Sequence, residues 1–321
     1  EDLKEIGGYF GLELRKGSEY YPDAIKLNSA RNCLKYILLA QKPIKLHMPY
    51  YMDKSMIEDS LRDLVEYSFY NINEKFEIEN DLLVEEGEKI LFNNSCSSKN
   101  DYIENLAKKY GSKLIVDNTH SFFSRPLPGI DTVYSLGSKY FGVPGGGYLY
   151  TTKRLNDEFE QDYSHAKMSH ILGRTDKNAS DFFEAFQQSK KGRNNQPIKK
   201  MSKITRTLLA SIDYERAKIV RERNFYYLHG FLSQWNEITL DLTFMQGPMF
   251  YPMLVEKLDL RQILISRKVY VPTFWPEVLE AKGSNEFEKR ISTYMLPLPI
   301  DQRYDIADMK RIVEIISSEL R

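Results

Sequence analysis

The residues best suited to chemistry lie in three segments that follow one another along the chain. Asp117 comes directly after the apolar run 114–116, Lys139 follows a second strand-like run, and a glycine-rich turn occupies 145–147. In an α/β sheet, ligands bind at the carboxyl ends of the strands, so Asp117 and Lys139 are expected to face one crevice from separate strands. Pyridoxal 5'-phosphate (PLP) requires an amine for its aldehyde and a carboxylate that keeps its ring nitrogen protonated. The pattern therefore predicts a PLP site.

A phosphate group needs its own set of hydrogen-bond donors. Asn28 and Ser29 precede a helix whose apolar side chains recur at helical spacing from Ala30 to Leu38. Either residue is a candidate N-cap, and the free N–H groups and positive dipole behind a cap favour an anion. Ser135 is placed to add a hydroxyl. An ordinary helix cap without a ligand explains Asn28 and Ser29 equally well.

Strands and helices must position these residues. Five runs in the first half read as strands, several of them apolar throughout: 44–51, 89–95, 113–120, 131–138 and 147–152. Between them, apolar residues at i, i+3, i+4 and i+7 from Ile103 predict an amphipathic helix that ends at Gly111. Strands that alternate with helices predict a mainly parallel α/β sheet with helices on both faces.

The second half has a different pattern. Residues 156–235 are polar and mostly helical, and 186–206 holds seven Lys and Arg and no acidic residue. This basic segment is either a solvated surface or a landing site for an anionic ligand. Beyond it, we predict strands at 248–254, 269–274 and 292–297 and helices at 258–265 and 306–320. The expected organisation is a large α/β domain, 1–235, with a helical insert at about 156–235, and a small α+β domain, 236–321.

Composition excludes several classes of protein. The 321 residues carry 45 Lys+Arg and 45 Asp+Glu, and this zero net charge argues against a nucleic-acid binder. The longest apolar stretches, such as 36–40, fall far short of the ~20 residues of a membrane span. Cys33 and Cys96 are too few for a disulfide scaffold or zinc cluster, and no metal site is expected. We therefore expect a cytoplasmic protein whose partners are small molecules or a second copy of itself.

The same segments resemble the DegT/DnrJ/EryC1/StrS family of fold-type-I PLP-dependent aminotransferases. The resemblance is carried by LIVDNTHSFF at 114–123 and YSLGSKYFGVPGGGYLY at 134–150. Supporting segments are LNSARNCLKYIL at 27–38, LHMPYY at 46–51, ILFNNS at 90–95 and MSKITRTLLASIDY at 201–214. The resemblance implies a homodimer that transfers an amino group from an amino acid to a keto sugar attached to a nucleotide.

The resemblance also implies roles for individual residues. Lys139 would form a Schiff base with PLP and move the proton during transfer, and Asp117 would hold the ring nitrogen. His120 would contact the ring hydroxyl, Ser135 the phosphate, and Asn93 matches a polar position at the end of the preceding strand. The remaining cofactor-binding candidates are the phosphate-cradle residues Asn28, Ser29 and Ala30, and Ser202 in a region that, together with Asn194, crosses to the partner subunit. The aromatic over the ring does not align cleanly: Tyr50 and Tyr51 are both candidates, of which we select Tyr51, and a core role suits either of them equally well.

Two positions depart from the family pattern. His120 stands where the family more often has Gln, and Gly145 stands in a turn that commonly carries an acidic residue. Two alternatives therefore stay open: a non-catalytic binding or regulatory protein with the same fold, or a PLP enzyme of this fold with a different reaction outcome.

Overall fold

The computed structural model describes residues 6–57, 61–95, 99–137, 139–192, 194–243 and 245–321, so Cys96 and Ser138 lie outside the described residues. Within those ranges the first sheet consists of β1 (Ile25–Leu27), β2 (Lys45–Pro49), β3 (Glu66–Tyr70), β4 (Glu88–Asn93), β5 (Leu114–Asp117), β6 (Asp131–Ser135) and β7 (Gly147–Tyr150). Their order is β1-β7-β6-β5-β4-β2-β3. The five strands from β6 to β3 are parallel, and β7 and β1 are antiparallel to their neighbours. The predicted mainly parallel sheet is confirmed.

Helices cover both faces of this sheet. Side chains alternate along β4: Ile90 and Phe92 pack in the cluster that includes α2 (Asn100–Tyr110), whereas Leu91 packs in the cluster that includes α1 (Ala30–Gln41). A strand buried on both faces is apolar throughout instead of alternating, which is the pattern that the sequence shows. This two-sided burial leaves the strand ends as the places where polar side chains gather.

A second group of elements builds around a small antiparallel sheet of β8 (Phe250–Leu254) and β9 (Met295–Pro299). The helices in this half are α3 (Ser169–Asp176), α4 (Phe183–Lys191), α5 (Lys203–Ala210), α6 (Tyr214–Leu232), α7 (Leu260–Ser266), α8 (Glu286–Tyr294) and α9 (Ile306–Leu320). Leu228 of α6, Leu264 of α7 and Ile316 of α9 share one apolar core with the small sheet. The boundary between domains at 235/236 stays a prediction.

Most elements lie where the sequence predicts them. Each of the five runs in the first half overlaps a strand, and the strands are shorter because the polar residues at their ends belong to loops. The helix that ends at Gly111 is confirmed, as is the helix 306–320, which Asp305 and Asp308 start with a capping box. Of the two N-cap candidates for α1, Asn28 and Ser29, the N-cap is Ser29.

The predicted strand at 269–274 is wrong. Pro272 has no backbone N–H to donate to a neighbouring strand. The side chain of Arg261 donates to the carbonyl oxygens of Val271 and Pro272, which occupies the acceptors that a strand partner would use. The segment therefore runs as irregular chain toward Trp275.

The predicted strand at 292–297 begins too early. Asn285 and Glu288 form a capping box that starts α8, and the helix continues to Tyr294 before β9 begins at Met295. The local hydrogen bonds of the capping box favour a helix, and they outweigh the strand propensity of the β-branched residues in its last turn. The edge strands β1 and β3 were not predicted from the sequence.

Candidate active site

Lys139 lies in the loop after β6, where its amine meets the ring of His120. Lys139 Nζ and His120 Nε2 are 3.2 Å apart. The His120 side chain is buried, and the Tyr140 hydroxyl donates to its backbone carbonyl oxygen at 2.7 Å. Burial lowers the pKa of His120 well below its usual range, and the charge of Lys139 lowers it further. His120 is therefore a neutral imidazole, and its Nε2 shares a hydrogen bond with the lysine amine.

Asp117 is the last residue of β5, and its side chain is buried. Burial raises the pKa of this carboxyl. Hydrogen bonds from Thr119, one of them from its backbone N–H to Oδ1 at 2.9 Å, and the nearby charge of Lys139 lower it, whereas the charge of Asp53 raises it. A carboxylate in this environment gains stability from a proton donor or a cation that reaches it.

Asn93 ends β4 beside Asp117. The parallel register of β4 and β5 pairs the two residues directly. Asn93 Oδ1 is buried and has no hydrogen-bond partner among the residues that the structure describes. A buried acceptor without a partner costs ~1–3 kcal/mol, so a ligand that donates a hydrogen bond here would remove that cost.

The glycine-rich turn brings the predicted phosphate residues together. Ser135, at the end of β6, pairs with Gly147 at the start of β7. Gly147 packs so closely on α1 that an added Cβ would lie 2.8 Å from the backbone nitrogen of Ala30. Ser29 caps this 12-residue helix, and its Oγ accepts from the N–H of Asn32 at 3.1 Å. Ser29 and Ala30 thus lie at the start of α1, against the glycine-rich turn that pairs with Ser135, and the positive end of the helix dipole there favours an anion.

Asn28 supports this corner from behind. Its Nδ2 donates to the carbonyl oxygen of Pro197 at 3.0 Å, and its Oδ1 accepts from Asn32 Nδ2 at 2.8 Å and from the N–H of Lys199 at 3.2 Å. Its own carbonyl oxygen accepts from the N–H of Gly146 at 3.0 Å. These bonds join the start of α1 to the glycine-rich turn, and the direct contact of Asn28 with a cofactor stays a prediction.

Ser202 and Asn194 have partners within their own chain. Ser202 is the N-cap of α5; its Oγ accepts from the N–H of Thr205 at 3.1 Å and also shares a hydrogen bond with the Ser164 hydroxyl. Asn194 Oδ1 accepts from Arg31 Nη1 at 2.9 Å, at the first turn of α1. Their predicted role in a neighbouring subunit's site stays a prediction.

Aromatic rings from the C-terminal half cover His120. The Trp275 ring lies nearly parallel to the imidazole, at 6° with centroids 5.5 Å apart, and the Phe274 ring at 24° and 5.1 Å. Phe250 meets the imidazole edge-on at 5.9 Å. Tyr51 is buried and contacts Trp275 edge-on at 4.4 Å, so it lies one ring farther away. Its role as the aromatic over a cofactor stays a prediction.

Three residues of this region were not predicted from the sequence to belong to the site. Asp53 comes soon after β2 and acts on Asp117 through its charge. Asp117 was selected because ligands bind at the carboxyl ends of strands in an α/β sheet, and the same criterion applied to Asp53 would have found it. Phe274 was missed because the sequence pattern placed it at the end of the predicted strand 269–274, and Trp275 because it follows that strand directly. The Pro276 that comes next is the available signal for a turn.

The site therefore combines three functional parts at the carboxyl ends of the parallel strands. A lysine amine lies beside a neutral imidazole, and a buried carboxylate lies beside an amide oxygen that lacks a partner among the described residues. A capped helix start packs against the glycine-rich turn that pairs with Ser135. Such a set can form a covalent bond to a carbonyl carbon, hold a protonated ring nitrogen and bind a phosphate.

The fold is shared with solved structures that include aminotransferases, at low sequence identity. DesI, determined in the presence of its TDP-sugar product, is 14% identical with a TM-score of 0.62 over 91% of this chain and 79% of that chain. A DegT DnrJ EryC1 StrS aminotransferase from Brucella abortus is 14% identical with a TM-score of 0.59, over 92% and 85%. NtdA from Bacillus subtilis, with bound cofactor PMP, is 15% identical with a TM-score of 0.65, over 92% and 72%.

No protein-family model and no curated protein sequence matches the chain. No helix in the described ranges combines the length and the apolar character needed to cross a membrane. The structural comparisons cover nearly the whole chain, and the protein therefore has the fold-type-I aminotransferase fold, as the sequence predicts.

Proposed function

We propose that this protein is a PLP-dependent aminotransferase of the DegT/DnrJ/EryC1/StrS family. One observation carries the proposal: the buried Asp117 ends β5, and Lys139, whose Nζ lies 3.2 Å from His120 Nε2, follows the end of the neighbouring parallel strand β6. The shared fold of NtdA, which binds PMP, supports the same cofactor class.

The side chains of the site are suited to PLP. Asn93 Oδ1 is a buried acceptor that lacks a partner among the described residues, and Asp117 is a buried carboxylate that a protonated ring nitrogen would stabilise. The start of α1, where Ser29 and Ala30 lie against the glycine-rich turn that pairs with Ser135, suits the phosphate. A covalent bond from Lys139 would hold the aldehyde.

Each of these residues has a part in amino transfer. When bound, PLP supplies an electron sink for negative charge that develops on a substrate carbon. Asp117 holds a proton on the ring nitrogen, because an opposite charge nearby favours the protonated form by ~1–3 pKa units. Lys139, as a free amine, removes and returns the proton at the substrate carbon, and His120 Nε2 orients that amine from 3.2 Å.

The substrates that we propose are an amino-acid donor and a keto sugar attached to a nucleotide. The likeness to DesI, whose structure was determined with a TDP-sugar product, supports a sugar acceptor. The basic segment 186–206 supports an anionic diphosphate on that acceptor.

The test is an absorbance scan of the purified full-length protein with PLP, before and after addition of glutamate or glutamine. We expect the band of bound PLP to shift to that of pyridoxamine phosphate with the wild-type protein and to be absent from Lys139→Ala. A Lys139→Ala protein that keeps both the band and the turnover would exclude the assignment.

The same scan separates the alternatives. A band that no amino donor shifts favours a non-catalytic binding or regulatory protein. A band that shifts while product analysis finds no aminated sugar favours a PLP enzyme with another reaction outcome. Product analysis by mass spectrometry therefore completes the experiment.

We also propose a cytoplasmic homodimer. Tyr9 and Phe10, in an irregular stretch of chain, are 98% and 90% exposed, and exposed apolar side chains in a row are typical of a contact with another chain. Light scattering of the full chain and of a chain that lacks residues 1–12 tests this proposal: the full chain should be a dimer and the shortened chain should dissociate more readily.

A further inference from the structure

Among the ring contacts of His120, the contact with Trp275 has the smallest angle between the ring planes. The two rings lie at 6° with centroids 5.5 Å apart, whereas Phe250 meets the same imidazole at 85°. Trp275 is only 9% exposed and contacts Tyr51 on another side. A large flat ring held in this way limits the tilt that the imidazole can adopt.

The chain accepts an unfavourable backbone conformation to place Trp275 there. Its φ is 50° and its ψ 57°, the left-handed region that bulky residues rarely occupy. Its carbonyl oxygen accepts from the N–H of Val278 at 3.0 Å. Arg261 donates to the carbonyl oxygen of Met295 at 2.7 Å and to those of Val271 and Pro272, ahead of Phe274. Backbone strain that the surroundings hold in place is a feature of functional sites.

The imidazole that Trp275 orients is in direct contact with the reactive lysine. Lys139 Nζ lies 3.2 Å from His120 Nε2 and 5.8 Å from the centroid of the Phe274 ring. Rotation of the imidazole away from Trp275 would move Nε2 out of the hydrogen bond with the amine. The imidazole thus contacts both the lysine amine and a ring that follows Lys139 by more than a hundred positions in the sequence.

We propose that Trp275 is a positioning residue that, through its parallel contact with the His120 ring, keeps Nε2 facing the Lys139 amine and so sets the reactivity of that amine. The proposal goes beyond the proposed function, because it concerns the amine with or without PLP. It also assigns a role at the site to the segment 269–275 of the C-terminal half.

The test measures the reactivity of Lys139 in the full-length protein freed of PLP. Formaldehyde and cyanoborohydride methylate lysine amines, and peptide mass mapping gives the rate at Lys139 relative to the exposed Lys108 in the same sample. The variants are Trp275→Leu, which removes the flat ring, and Trp275→Phe, which keeps one. Trp235→Leu is the matched control, because Trp235 is the other of the two tryptophans and packs in the core around the small sheet.

We expect Trp275→Leu to change the relative rate at Lys139 by about 2- to 12-fold, the range that corresponds to the loss of one aromatic contact. Trp275→Phe should restore most of the wild-type rate, and Trp235→Leu should leave it unchanged. A Trp275→Leu protein that reacts at the wild-type rate, or a Trp275→Phe protein that behaves like Trp275→Leu, would overturn the proposal.

A second measurement applies if Trp275→Leu does not fold. In Trp235→Phe, Trp275 is the sole source of tryptophan emission, and adding His120→Gln replaces the ring that it contacts. We expect the emission to change in intensity or wavelength; an unchanged spectrum would overturn the proposal. If the wild-type protein fails to bind PLP while Lys139 still depends on Trp275, the proposed function fails and this inference stands.

Discussion

Replacing Arg221 by Met should destabilise the protein, because Arg221 joins the loop of the reactive lysine to the C-terminal half. The side chain is fully buried on α6. Its Nη2 donates to the carbonyl oxygen of Tyr140 at 3.0 Å, Nη1 donates to those of Pro248 and Met249 at 3.1 and 3.2 Å, and Nε donates to Gln302 Oε1 at 2.9 Å. The guanidinium carbon lies 4.5 Å from the centroid of the Tyr140 ring.

The size of the effect follows from these contacts. Methionine has a similar length and no donors, so Arg221→Met leaves Gln302 Oε1 and the carbonyl oxygens of Pro248 and Met249 without this partner. The carbonyl oxygen of Tyr140 keeps a hydrogen bond from Gln302 Nε2 at 2.9 Å. Each lost bond to a charged donor is worth about 1.5–3 kcal/mol, and the release of the buried charge offsets part of the sum, which leaves a net loss of about 2–4 kcal/mol. For a chain of this length that loss corresponds to a fall in Tm of about 3–6 °C.

Calorimetric melting of the wild-type protein, Arg221→Met and Arg216→Met measures the difference. Arg216 lies on the same helix and is exposed, so Arg216→Met should change the free energy of unfolding by less than about 0.5 kcal/mol. Equal melting temperatures for Arg221→Met and the wild-type protein would refute the reasoning, and so would an equal loss in both variants.

Three further predictions concern the site and its surroundings. Asp117→Asn should melt at or above the wild-type temperature, because burial raises the pKa of this carboxyl and the neutral amide avoids the cost of burying a charge. The rate of its reaction with an amino donor should fall about 10- to 1,000-fold, and a fully active variant would contradict the role of the carboxylate. His47, at 2.8 Å, and the N–H of Glu85 hold the pKa of Glu88 at about 2 against an ordinary 4.5. The stability that Glu88 contributes is thus complete above pH 4.5 and lost as the pH falls toward 2. The melting temperature of Glu88→Gln should therefore depend less on pH over that window than the melting temperature of the wild-type protein. Parallel curves of melting temperature against pH would disprove this contribution of Glu88. Gly147→Ala should cost about 1–3 kcal/mol and weaken PLP binding in a titration, because the new Cβ would lie 2.8 Å from the backbone at the start of α1; unchanged stability and affinity would count against the cradle.

Local signals in the sequence account for much of the fold. The N-cap Ser29, the capping box at Asp305 and the apolar runs of β4 and β5 each depend on residues a few positions apart, so pattern and spacing suffice to predict them. Because parallel strands end at the same edge of a sheet, the positions of Asp117 and Lys139 after two apolar runs also predicted that both lie at that edge, and their roles in a PLP site stay predictions.

What only the tertiary structure decided is which distant residues meet at that edge. Trp275 stacks on His120, and Arg221 reaches the carbonyl oxygen of Tyr140, across more than 80 positions of sequence. No local pattern encodes such contacts, since they arise when the C-terminal half packs on the large sheet. Within the C-terminal half, side-chain hydrogen bonds from Arg261 decide that 269–274 is irregular chain, because they outweigh the strand propensity of its residues, which is a small local term.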